Sequence, residues 1–148
     1  MKILAIQNRM GIGDMVIFLP FIGAIAKKYN CPIDILVKEN SKASQILNDN
    51  KNIGKIIILD RDNKDKNKRH DGLIGFFALI SDLKKYDFDK VFIFNSSLRS
   101  RLIMKIAKIK DIYQYKLFDK KKQNIIKAAQ DFLNKSINLS ISFCVNKL

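Results

Sequence analysis

The sequence predicts an α/β fold, a parallel sheet with helices on both faces. Strand and helix signals alternate through most of the 148 residues, the pattern that repeated strand-helix-strand units require. The strand-like runs are almost continuously apolar rather than alternating, as strands covered on both faces are. The first of them hands over to a helix through Gly11-Ile12-Gly13-Asp14, a glycine turn with a carboxylate where open α/β sheets bind ligands.

Lys2-Ile3-Leu4-Ala5-Ile6-Gln7 is the first strand. After Asp14 the period changes: Met15, Phe18, Leu19, Ile22, Ile25, Ala26 and Tyr29 recur at helical spacing, with Pro20 expected to bend the helix or delay its regular part. Residues 33–37, reached through Cys31-Pro32, form the second strand, and residues 41–47 a weak helix. The third strand is residues 55–59, built on Ile56-Ile57-Ile58-Leu59. Residues 60–70 are polar, without apolar period, and are expected to be a surface loop carrying an exposed His70. Helical spacing returns over residues 72–86, with Leu73, Phe76, Phe77, Ile80 and Leu83 on the face expected in the core.

The fourth strand, residues 90–94, runs into Asn95-Ser96-Ser97-Leu98-Arg99-Ser100 and a helix with Leu98, Leu102, Ile106 and Ile109 as its apolar stripe. Residues 111–115 are a short fifth strand. Residues 123–135 are an amphipathic helix through Ile126, Ala129, Phe132 and Leu133. In the common 3-2-1-4-5 order, strands one and four are neighbours where the chain reverses direction across the sheet. The Gly11–Asp14 and Asn95–Ser100 turns would then line one crevice.

Length and composition narrow the partners. The chain is one domain's worth, and 47% hydrophobic with 28% charged residues describes a globular protein. An excess of 28 Lys and Arg over 14 Asp and Glu, a net +14, favours phosphorylated small molecules, nucleic acid or an acidic membrane surface. No nucleic-acid-binding motif accompanies the charge, so no nucleic-acid partner is expected. Cys31 and Cys144 lie far apart without metal-ligand neighbours, and a reducing cytoplasm is the simplest setting. The longest apolar stretch, residues 15–26, is too short to span a bilayer, and neither a signal peptide nor a membrane helix is read.

Several motifs occur in a familiar series. Met1-Lys2-Ile3-Leu4 leads to Gly11-Ile12-Gly13-Asp14-Met15-Val16 and Leu19-Pro20, then Ile33-Asp34-Ile35-Leu36-Val37 and Ile56-Ile57-Ile58-Leu59-Asp60. Tyr86-Asp87-Phe88-Asp89-Lys90-Val91 and Asn95-Ser96-Ser97-Leu98-Arg99-Ser100 follow. In order and spacing this resembles the ADP-heptose:lipopolysaccharide heptosyltransferases, glycosyltransferase family 9, over roughly the first 115 residues of an alternating α/β domain.

The resemblance implies a Rossmann-like domain, the N-terminal half of a two-domain GT-B glycosyltransferase. That half holds the sugar acceptor, while a C-terminal domain binds the nucleotide-sugar. It implies inverting transfer of heptose from ADP-heptose to an anionic lipopolysaccharide-precursor acceptor, without a required metal or further cofactor. Asp14 would be the general base, with Gly11 and Gly13 shaping its turn. Asn95, Ser96, Ser97, Arg99 and Ser100 would contact the acceptor, Arg99 by pairing with a phosphate or carboxylate. Ile112 and Gln114 stand where the family often has Arg and Gly.

Residues 1–140 are expected to form the acceptor domain and residues 141–148 a short tail. The donor domain is expected to be absent from this chain and separately encoded, as for a truncated or split enzyme inactive alone. The expected location is cytoplasmic, with peripheral contact at the inner membrane.

Plainer readings stand beside these. Asp14 is a favoured helix cap, Asn95 and Ser97 are ordinary residues at a helix start, and Arg99 can be solvated. The lysine runs at residues 64–69 and 120–122 read as solvated surface able to touch anionic lipid, and the cysteines as structural or incidental thiols. The alternative function is a non-catalytic α/β domain that binds a phosphorylated glycolipid or a nucleotide.

Overall fold

The computed structural model describes residues 1–9, 11–61, 68–116 and 124–138. Strands β1 (Ile3–Gln7), β2 (Ile33–Val37), β3 (Ile53–Ile58), β4 (Lys90–Ile93) and β5 (Asp111–Gln114) form one sheet in the order β3-β2-β1-β4-β5. Every pairing is parallel, with Ile6 opposite Leu36 on one side and Ile93 on the other. This is the common 3-2-1-4-5 order, in which β1 and β4 are neighbours at the point of reversal.

Strand side chains alternate between two buried layers. Ile3, Ala5, Ile33, Ile35, Phe92 and Phe94 face α1 (Ile12–Tyr29) and α5 (Ile125–Ile137). Leu4, Ile6, Leu36, Val91 and Ile93 face α3 (Gly72–Lys84) and α4 (Leu98–Ile106). Both faces are therefore covered, which explains the unbroken apolar strands. A short α2 (Ala43–Ile46) follows a single 3-10 turn after β2.

The structure corrects several sequence expectations. Helix α1 runs unbroken from Ile12, ahead of Asp14, and through Pro20, which lies on the exposed face where water can take the carbonyl left without a donor. Asp14 lies in the first turn of α1, not at the cap. The cap is Gly11, with φ 114°, a backbone conformation that glycine adopts without steric cost.

His70 is buried, at 4% exposure, rather than on the surface. Its Nδ1 accepts from the Asp60 N–H at 3.0 Å, so Nε2 carries the proton toward Asp82 Oδ2 at 3.2 Å. The backbone of His70 lies directly on α3, where a Cβ at Gly75 would fall 2.1 Å from the His70 carbonyl carbon. That contact selects the inward face of α3: Gly75, Leu79, Ile80 and Leu83 are buried and Phe76 half-buried, while Leu73 and Phe77 point outward.

Helix α4 is likewise turned from its expected stripe. It buries Ser100, Ile103 and Met104 and exposes Leu98, Leu102 and Ile106. The rotation follows from its first turn, where Ser97 Oγ accepts from the Ser100 N–H and Arg99 is tied to the start of α3. The 141–148 tail, Cys144, residues 64–67 and 120–122 of the lysine runs and the predicted helix start at residue 123 lie outside the described residues. No helix among the described residues is long and apolar enough to cross a membrane.

Candidate functional site at the carboxyl edge of the sheet

Strands end where their backbone groups lose partners, and a parallel sheet brings all these ends to one edge. A cleft of about 740 Å³ opens there, between the ends of β1, β4 and β5 and the side of α5. Its apolar floor is an aromatic cluster. The Phe132 ring meets Tyr115 edge-on at 4.9 Å and Phe94 at 5.4 Å, and Phe18 meets Phe94 at 5.2 Å. Arg9 and Lys116 stand at the strand ends, and Asp131 and Lys135 on the α5 wall. A smaller cleft of about 400 Å³ adjoins it, lined by Lys38, Arg61 and Ser97 and sharing Asn8, Asn95 and Ser96 with the first.

The polar groups at this edge are unusual. Gln7 Nε2, Asn8 Oδ1, Asn95 Nδ2, Gln114 Oε1 and Tyr115 Oη are buried without a hydrogen-bond partner among the described residues. Each such atom ordinarily costs about 1–3 kcal/mol, and native interiors tolerate few. All five sit on the last residue of β1 or β5, or within two residues beyond β1, β4 or β5. They comprise two amide donors, two amide acceptors and a phenol. Burial holds the Tyr115 phenol well above the usual tyrosine range, partly offset by Arg9, so at neutral pH it keeps its proton for donation.

The other halves of three of these side chains are engaged, which fixes their orientation. Asn95 Oδ1 accepts from the Ser97 N–H at 2.9 Å, Gln114 Nε2 donates to the Ser97 carbonyl at 2.8 Å, and Gln7 Oε1 accepts from the Arg9 N–H. Such a cluster can bind a ligand bearing several hydroxyls, each able to donate and accept, and the cations at its rim suit phosphate or carboxylate groups.

The predicted site residues divide. Asn95 and Ser96 line both clefts and Ser97 the smaller one. Ser97 also caps α4, and Ser100 is the residue whose N–H it receives. Arg99 turns away: its guanidinium donates to the carbonyls of His70 at 3.0 Å and Gly72 at 2.9 Å and lies over the Phe76 ring. Gly11, Gly13 and Asp14 are absent from the described lining of either cleft. The Asp14 carboxylate is half-buried at the start of α1.

Asn8, Gln114 and Tyr115 line the cleft without belonging to any motif of the sequence. Their signal is positional, since each lies at the carboxyl end of a strand. No group of three or more His, Cys, Asp or Glu side chains gathers as metal ligands among the described residues.

Together these features define an α/β domain with a cleft bearing unpaired polar groups at the reversal point of a five-stranded parallel sheet. Among solved structures, the chain is similar to that of a glycosyl transferase family 9 protein from Veillonella parvula DSM 2008, with a TM-score of 0.66 and 15% identity. The match covers 94% of this chain and 42% of that one, so the chain spans less than half the length of this structural relative. No protein-family model matches the chain, and no curated protein matches it.

Proposed function

We propose that this chain is the acceptor-binding half of a glycosyltransferase of the heptosyltransferase kind, working with a second domain that binds the nucleotide-sugar. The observation that carries the reading is the cluster of buried, unpartnered amide and phenol groups beneath a cationic rim. Hydroxyls of a sugar would satisfy these groups, and phosphates of a lipopolysaccharide precursor the rim. The fold shared with a glycosyl transferase family 9 structure supports the same assignment.

In this reading Asp14 takes the proton from the acceptor hydroxyl. The oxygen then forms a bond to the anomeric carbon of the heptose while the bond from that carbon to the ADP diphosphate breaks on the opposite face. The start of α1 favours negative charge at Asp14. Asn95, Ser96 and Ser97 hold the acceptor, and Arg99 supports them from behind by fixing the start of α4.

A second reading, a binding domain without chemistry, is favoured by one observation: Asp14 stands apart from the described lining of both clefts. Calorimetric titration with a deacylated, phosphorylated core oligosaccharide and with ADP separates the acceptor half from a nucleotide-binding domain, and turnover of Asp14→Ala in the domain joined to its donor half separates it from a glycolipid-binding one. Oligosaccharide binding that is lost in Asn95→Ala, with no binding of ADP, is expected for the acceptor half. Tight ADP binding without oligosaccharide binding would overturn it.

A further inference from the structure

We infer that the outward face at the start of α3 is a docking surface for an anionic lipid bilayer. Leu73, Ile74 and Phe77 are 79%, 87% and 64% exposed, large apolar side chains within the first two turns of one helix. They follow helical spacing on the side opposite Gly75 and Leu79, so packing leaves them facing solvent together. Arg99 draws the start of α4 against this turn through the Gly72 carbonyl, and α4 adds exposed Leu98 and Leu102. Large apolar side chains exposed together on one helix start in this way call for a covering partner.

Two features select a membrane surface. The same outward stripe of α3 turns polar farther along, at exposed Ser81 and Lys84. On α3 the apolar part is thereby confined to the end of the domain that carries the clefts, as expected of a shallow insertion at a headgroup boundary. Cations accompany that end: exposed Lys68 lies just before α3, and Lys38 and Arg61 line the neighbouring cleft. They belong to a chain with a net charge of +14, which complements an anionic leaflet. The inference stands apart from the transferase reading, because it needs no ligand in the cleft.

The chain contains no tryptophan, so Phe77→Trp supplies a single reporter. Its emission is expected to shift to the blue on adding vesicles of mixed phosphatidylglycerol and phosphatidylcholine. Ile106→Trp, at the far end of α4, is expected to stay unchanged. Co-sedimentation with the same vesicles is expected to fall about tenfold or more in the triple variant Leu73→Ser, Ile74→Ser, Phe77→Ser. No shift at residue 77, or an equal shift at residue 106, would overturn the proposal. So would lipid-free self-association abolished by the triple variant, which would assign the face to a second copy of the chain.

Discussion

Gln114 donates through Nε2 to the Ser97 carbonyl at 2.8 Å, joining the end of β5 to the turn that starts α4 while its own Oε1 stays buried and unpaired. One amide thus has a structural half and an open half. Replacing Gln114 with Leu removes both. The unpaired acceptor disappears, so stability is expected to change by less than about 1 kcal/mol in urea titration. Affinity for the phosphorylated core oligosaccharide is expected to fall about tenfold or more in calorimetry, and unchanged affinity would remove Gln114 from the site.

Glycines 75 and 13 make a matched pair. A methyl at Gly75 would lie 2.1 Å from the His70 carbonyl carbon and 2.6 Å from its Cα, and a backbone cannot swing aside as a side chain can. Gly75→Ala is expected to cost about 3 kcal/mol and lower the melting temperature by roughly 6–12 °C. At Gly13 nothing lies within 4 Å of the added Cβ. Gly13→Ala is expected to be neutral or stabilising by up to about 1 kcal/mol in the same measurement.

Asp82 gathers the neck of the β3–α3 loop. Arg69 forks onto it through Nε at 3.0 Å and Nη2 at 2.7 Å, with His70 beside them. The Arg69 hydrogen bonds, aided by His70, hold its carboxyl well below the usual carboxylate range. A carboxyl lowered by folding stabilises above its unfolded pKa and loses that contribution as pH falls through the folded value. Asp82→Asn is expected to cost about 1–2 kcal/mol near neutral pH, a figure discounted for the exposure of Arg69. The difference from wild type is expected to shrink below about pH 4, measured by denaturant titration across pH.

Asp14 separates chemistry from folding. In the domain joined to its donor half, Asp14→Ala is expected to lower turnover by about a hundredfold or more if the carboxylate is the base. Loss of its favourable place in the first turn of α1 costs only about 0.3–1 kcal/mol of stability. Near-normal turnover at unchanged stability would remove Asp14 from the mechanism.

Much of the architecture was legible in the chain because it depends on local pattern. Apolar runs such as Ile33 to Val37 and Val91 to Phe94 marked strands, and Gly11 marked a turn that only glycine makes easily. The site was legible only in part. Asn95, Ser96 and Ser97 drew attention through a motif, whereas Gln114 read as a departure from one and Asn8 had no motif at all. His70 looked solvent-exposed because its neighbours in sequence are charged, yet its partners Asp60 and Asp82 lie 10 and 12 residues away.

The sequence by itself determined the strands, their parallel arrangement between helices and the edge at which a cleft forms, since periodicity and crossover connections act within one segment or between successive ones. Only the tertiary structure decided which faces of α3 and α4 turn inward, that Arg99 braces a helix start instead of lining the cleft, and that Asn8, Asn95, Gln114 and Tyr115 bring buried, unpaired polar atoms to one cleft. Those outcomes depend on contacts between side chains and backbone far apart in the chain, and no local pattern encodes the distance between them.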